Sequence, residues 1–325
     1  MKTKFLAVIL LAISLLTSCQ ATPNAEIVTT LFPHYDFARQ IVGNNMSVRL
    51  LVPPGAEAHD YEPTSRDLEA INKSKLFIFT AYDWETWLGN NVSNFLGQGQ
   101  ALNLFEALDL EHYFEDHEEE DHHDNDDEHE GHEGHEGHEG HEEHNHSMHY
   151  WTNPLIAVKM IDAILKSIIS IDPSNASFYT NNANLYKQLI LDLDDEMHDY
   201  FDTISNNSIY FAGHNAMDFF AERYHLEIIA LTSGFQPDAD ITSSQIENLI
   251  INIKNNSVNI LFVEELKEPK LANTIKNELA KSNYNLRILE LHGYHNITKK
   301  QLDDRVTYLD LMALNFVNLK EALKG

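Results

Sequence analysis

EIVTTLFPHYDFARQIVGNNMSVRLLV, residues 26–52, reads as strand, helix, strand. EIVTTLF and SVRLLV are short apolar runs, and PHYDFARQIVG between them has the spacing of an amphipathic helix. The rhythm continues outward, with SRDLEAINKS (65–74) as a helix and KLFIFTA (75–81) as a strand. Strands alternating with helices predict a parallel sheet covered by helices. The same alternation returns late in the chain. SIYFA (208–212), LEIIAL (226–231), ILFVEE (260–265) and LRILEL (286–291) read as strands. NAMDFFAERY (215–224) and TSSQIENLIINIKN (242–255) read as helices, and a last helix runs on from Thr298.

Between these two regions lie two stretches of different character. TNPLIAVKMIDAILKSIISI (152–171) is helical, and the run from Asp172-Pro173 to about residue 207 is long, with no Gly and no further Pro. About thirty helical residues span ~45 Å, longer than one lobe needs, so this helix is expected to link two lobes. Residues 111–148 break every periodic pattern. They contain a Gly-His-Glu repeat and lack apolar residues to bury, so a disordered loop is expected there. The predicted architecture is α/β. It has an N-terminal lobe over 26–110, rejoined by 149–171, a linking helix over 172–207, and a C-terminal lobe over 208–325.

The chain opens MKTKFLAVILLAISLLTSCQ. Lys2 and Lys4 precede an apolar run from Phe5 to Leu16, too short to span a bilayer but suited to a secretory signal. Leu-Thr-Ser-Cys resembles a bacterial lipobox, which makes 1–18 a signal peptide, Cys19 the acylated residue and 19–25 a tether. Cys19 is the only cysteine of 325 residues, so an internal disulfide is excluded and stability rests on burial.

The net charge of −29 is largely local. Residues 111–149 hold seventeen Asp and Glu and no Lys or Arg. Such acidity argues against nucleic acid and anionic lipid headgroups as partners and favours cations.

Histidine placement narrows this further. His59 follows the strand SVRLLV, His214 follows SIYFA, and His292 and His295 follow LRILEL. Parallel sheets bind ligands beyond the carboxyl ends of their strands, so these positions come from two lobes toward one cleft. His149 stands where the low-complexity segment returns to ordered sequence. Strand-end position alone does not choose between His292 and His295. His34, His198, His225 and His292 fit a reading as ordinary structural or surface residues.

These stretches carry a resemblance. PGAEAHDYEPTSRDLEAINKSKLFIFTAYDWETWL (54–88), HYWTNPLIAVKMIDAI (149–164) and IYFAGHNAMDFFAERYHLEI (209–228) come first. SGFQPDADITSSQIENLIINIKNNSVNILFVEE (233–265) and LHGYHNIT (291–298) with VTYLDLMALNFVNLKEAL (306–323) complete the set. In order and spacing they resemble the zinc-binding solute-binding lipoproteins of bacterial ABC metal importers, the ZnuA and AdcA type. The resemblance covers nearly the whole mature chain. It implies a metal site in the interlobe cleft, formed by His59, His149, His214 and His295, with register favouring His295 over His292. It also implies Zn2+ as the bound metal, an ABC permease and its ATPase subunit as partners, and a monomer lipid-anchored to the membrane or cell surface, or periplasmic.

The chain departs from the family pattern at several places. His295 stands where many relatives have a carboxylate, Asn215 replaces an Asp, Ser147-Met148 replaces Asp-Pro, and Ala58 replaces a Pro. Four neutral imidazoles suit zinc, copper or nickel better than manganese. Four protein ligands also leave little room for the water of a catalytic zinc, and no His-Glu-x-x-His helix is present, so an enzyme is not expected. The alternatives are a surface zinc buffer or adhesin without transport, a carrier of manganese or another metal, and a zinc hydrolase. His117, His122, His123, His129, His132, His135, His138, His141, His144 and His146 are expected to form a weak auxiliary metal-collecting loop.

Overall fold

The computed structural model describes residues 24–112, 148–213, 215–230 and 242–324. The opening stretch forms β1 (Ile27–Thr29), α1 (Phe32–Val42) and β2 (Val48–Leu50). Pro33 sits in the first turn of α1, and Gly43, at φ +56°, ends it in a conformation open to glycine at little cost. Phe37, Ala38, Ile41 and Val42 line the buried face of that helix. α2 (Ser65–Lys73) starts on a capping box between Thr64 and Asp67. β3 (Leu76–Phe79) is buried along its whole length, as a central parallel strand requires.

β4 (Gln100–Asn103) completes the sheet in the parallel order β2-β1-β3-β4. This strand escapes a reading from sequence because QALN has no apolar run and stays partly exposed. Helical structure continues to His112, two residues past the boundary expected at 110.

α3 (Pro154–Ile171) is capped by Asn153, whose side chain accepts from the Leu155 amide at 2.9 Å. The linking helix, α4, is Ala176–Phe201, 26 residues or ~39 Å, and so shorter than the expected 172–207. At its start the Asp172 carboxylate binds Ser174, Asn175 and Tyr179 and folds Pro173–Asn175 into a separate 3-10 turn. Two buried carboxylates tie the helix to both lobes. Asp36 on α1 accepts from Tyr186 Oη at 2.6 Å, and Asp194 on α4 accepts from Arg223 Nη2 and Tyr224 Oη, each at 2.7 Å. Charged hydrogen bonds of this kind contribute about 1.5–3 kcal/mol each.

The second lobe repeats the first. β5 (Ser208–Phe211), α5 (Asp218–Arg223) and β6 (Glu227–Ala230) are followed by α6 (Ser243–Asn255), β7 (Ile260–Val263), α7 (Lys270–Ala280) and β8 (Arg287–Glu290). Its sheet order is β6-β5-β7-β8, again parallel. The last helix, α8 (Tyr308–Ala322), returns to the first lobe, where Tyr308 donates its amide to Asp36 and its hydroxyl to the Trp151 carbonyl, each at 2.8 Å. One apolar core therefore runs from the first lobe along α4 into the second. Each sheet reverses strand order between its two central strands, the place where such sheets bind ligands.

Among the described residues, no helix is long and apolar enough to cross a membrane. The expected signal peptide 1–18, Cys19, and the collecting loop with its histidines from His117 to His146 lie outside the described residues, as does His214.

Candidate metal centre

His59 lies in the loop after β2, and the opposite lobe holds that loop. Asn296 Nδ2 donates to the carbonyls of Pro53 at 2.9 Å and Ala56 at 2.8 Å, and the Gly55 amide donates to the Ile297 carbonyl at 2.8 Å. These partners of the loop, Asn296 and Ile297, come just after His295. The Phe32 amide, at the start of α1, donates in turn to the His295 carbonyl at 3.1 Å. Two loops that carry histidines from different lobes are thus fastened by one backbone-to-backbone bond and two from the Asn296 side chain.

His149 caps the 3-10 turn Tyr150–Thr152, and Thr152 returns both its amide (3.0 Å) and its hydroxyl (2.9 Å) to the His149 carbonyl. Tyr150 donates its hydroxyl to the Thr80 carbonyl, and Trp151 Nε1 donates to the Gly293 carbonyl at 2.8 Å. The ring of His149 is fully buried.

His59, His149 and His295 converge. Their ring centres are 5.2 Å apart for His59–His149, 5.7 Å for His59–His295 and 5.9 Å for His149–His295. Imidazoles bound at 2.0–2.1 Å to one tetrahedral ion have ring centres about 5 Å apart. The triangle is within about 1 Å of that size. Among the described residues no three His, Cys, Asp or Glu donors are closed round one point as they stand, so binding requires this last contraction. Trp84 packs beside two of the rings, 4.4 Å from His59 and 5.1 Å from His149, and Trp151 stands 5.2 Å from His149.

His292 takes a different place. Its Nδ1 accepts the Tyr294 amide at 2.9 Å, its backbone amide and carbonyl are both held by Asn315, and its ring stacks on Tyr294. Burial lowers its pKa, as it does for a structural core histidine. His34 is also buried, 3.4 Å from Thr30 Oγ1, and burial lowers its pKa to about 3. His198 lies 3.3 Å from Asp202 on the surface of α4, and His225 occupies a turn at φ +52°.

Sequence reasoning passed over the carboxylates and indoles around the rings. Burial pushes the Glu265 carboxyl up, but His292, His295 and the Gly293 amide outweigh it and hold it below the usual carboxylate range. Neighbouring Glu264 is raised by burial. Glu57 is drawn down by Lys267 against the effect of burial, and Lys267 Nζ bridges Glu57 at 3.0 Å and Glu264 at 3.7 Å across the cleft. The signal for Glu264 and Glu265 was present: both follow β7 at its carboxyl end, the criterion that selected the histidines.

Comparison with known proteins matches residues 27–322 to the family model ZnuA, described as zinc-uptake complex component A, periplasmic. The high-affinity zinc uptake system protein ZnuA of Bacillus subtilis (strain 168) is 31% identical over 303 residues, covering 92% of this chain and 87% of that protein. The zinc-binding lipoprotein AdcA of Streptococcus pneumoniae (strain ATCC BAA-255 / R6) is 27% identical over 310 residues, and the match spans 56% of its length. Among solved structures, the metal-dependent lipoprotein YcdH from Bacillus subtilis matches with a TM-score of 0.68 at 25% identity, over 91% of this chain and 98% of that one. The periplasmic zinc binding protein TroA from Treponema pallidum shares the fold, with a TM-score of 0.72 at 17% identity, over 92% and 99% of the two chains.

Proposed function

This chain belongs to the ZnuA family of zinc-uptake complex components, and from that premise we infer an exported receptor that binds Zn(II) between its lobes and delivers it to an ABC importer. The partners under this reading are a membrane permease and its ATPase subunit. The observation that supports it is the convergence of three imidazoles from both lobes, His59, His149 and His295, whose ring centres lie within about 1 Å of the spacing of ligands on one tetrahedral ion. His214 follows β5 at the equivalent strand end of the second lobe and is proposed as the fourth ligand.

Zinc is the cargo, and the chain's own residues hold and release it. The imidazoles must be neutral to bind, so affinity should fall steeply below about pH 6, near the ordinary histidine pKa of about 6.5. A receptor needs no open coordination position, and four imidazoles supply none. Cys19 is proposed as the lipid-anchored residue and the molecule as a monomer. The ten histidines between 117 and 146 are proposed to gather zinc weakly, since a tethered collector raises its local concentration beside His149.

Metal content by mass spectrometry, on the full chain and on a chain lacking 117–146, tests both parts. One tightly held zinc per molecule is expected in each, with further weak zinc only on the full chain. Loss of tight zinc on deleting the segment would refute the division between centre and collector. A deletion strain that grows normally under zinc starvation would refute the transport role.

A further inference from the structure

We propose that Glu265 is a positioning residue for His295, accepting its Nδ1–H and so turning Nε2 toward the cargo. The proposal rests on the metal centre inferred above and names the group that orients its ligand from the second lobe.

Glu265 is anchored first. It is 4% exposed, and its Oε2 accepts the Gly293 amide at 2.9 Å. The carbonyl of the same glycine is held by Trp151 Nε1. The other oxygen, Oε1, lies 3.4 Å from Nδ1 of His295 and 3.4 Å from Nδ1 of His292, and is buried with no hydrogen bond from either.

The two histidines are not equivalent partners. Nδ1 of His292 already accepts the Tyr294 amide, so it presents a lone pair rather than a proton to the carboxylate. Nδ1 of His295 is buried and makes no hydrogen bond. A buried ring nitrogen and a buried carboxylate oxygen, both unsatisfied and 3.4 Å apart, each carry a desolvation cost that one hydrogen bond would remove once the nitrogen carries the proton. Closing by about 0.6 Å would bring the pair to the ~2.8 Å of a charge-assisted bond. A proton fixed on Nδ1 leaves the lone pair on Nε2, the arrangement by which carboxylates orient metal-bound imidazoles and raise their basicity.

Glycine at 293 leaves space for that closure. A Cβ there would stand 3.2 Å from Nδ1 of His295 and 3.5 Å from Oε1 of Glu265, crowding the gap from the side.

The test is Zn(II) affinity, by competition with a chromophoric chelator, on the full chain and on Glu265→Gln, His295→Ala and the double variant. Glu265→Gln is expected to bind about 10–100-fold more weakly. The double variant should bind no more weakly than His295→Ala alone, because the carboxylate acts through that ring. Losses that multiply in the double variant, or a Glu265→Gln chain that binds as the wild type does, would overturn the proposal while leaving the metal centre standing. A His295→Ala chain with unaltered affinity would sink both. Ring-nitrogen NMR shifts of the metal-free wild type give a readout that needs no variant to fold. His295 should carry its proton on Nδ1, and a proton on Nε2 would overturn the assignment.

Discussion

The two walls of the cleft hold their imidazoles by different means. On the wall of the first lobe, His59 and His149 lie against Trp84 and Trp151, with ring centres 4.4–5.2 Å apart. On the wall of the second, His295 faces the buried carboxylate of Glu265, and Glu264 lies beside it in the sequence. Both walls sit on sheets of the same parallel topology. The same scaffold therefore sets its rings against aromatic side chains, whose packing is insensitive to charge, or beside a buried carboxylate, whose influence depends on charge.

The sharpest way to break this comparison is to remove a ring from the packed wall. His149→Ala should weaken Zn(II) binding on the order of 1,000-fold, about 4 kcal/mol, measured by chelator competition. An affinity within tenfold of wild type would show that the first lobe contributes no essential donor. Trp84→Ala is the next step down. It leaves all donors in place but removes the surface that both His59 and His149 lean on. Zinc affinity should drop by roughly tenfold, and the metal-free fold should lose about 2 kcal/mol through the partly buried indole, read as a lower midpoint in urea. A lost affinity with no change in the midpoint would mean that Trp84 acts by some route other than packing.

How much of this was legible beforehand follows from the same contrast. Apolar periodicity located β1, α1, β2, β3 and most of the second lobe, because buried faces must repeat with the element's own period. It passed over β4, which buries little, and overran α4, because the Asp172 side chain folds a separate turn ahead of the helix. Strand ends pointed to His59 and His295, yet could not rank His295 above His292. Only the family register favoured His295, and the structure adds a contact that strand position does not display, Tyr294 donating its amide to His292 Nδ1. Nor does sequence reveal that Asn296 and Ile297 clamp the His59 loop, since hydrogen bonds between residues some 240 positions apart leave no periodic trace.

A smaller effect lies behind the packed wall. Burial raises Glu85 to about 7, against the hydrogen bonds it receives from Thr30, Thr80 and Ala81, and burial lowers His34 to about 3. Thr30 Oγ1 touches both groups. The signs oppose. Glu85 has its folded pKa above its unfolded one, so it contributes stability that is present below about 4.5 and lost as pH rises through 7. His34 has its folded pKa depressed, so its contribution is present above about 6.5 and lost as pH falls toward 3. In metal-free protein, His34→Leu should become more stable between pH 7 and 5, and Glu85→Gln should become less stable over the same range. Each change is about 2 kcal/mol, followed by thermal midpoint. Parallel profiles for the two variants would contradict the opposed signs.

The smallest effect expected concerns the bridge between the walls. Lys267 reaches from the second lobe to Glu57, two residues before His59, and also to Glu264. Its side chain is 41% exposed, so solvent screens the pair and its removal should cost at most about 1 kcal/mol of stability. Its position matters more than its strength, because it joins the second lobe to the loop that carries His59. Lys267→Ala should therefore leave equilibrium zinc affinity within about fivefold and express most of that change in the dissociation rate. Stopped-flow release into excess chelator reads the rate directly. A variant that releases zinc no faster than wild type would assign the restraint on opening to the clamp from the Asn296 side chain and the Ile297 carbonyl. That clamp consists of neutral hydrogen bonds, so release should then show little dependence on salt.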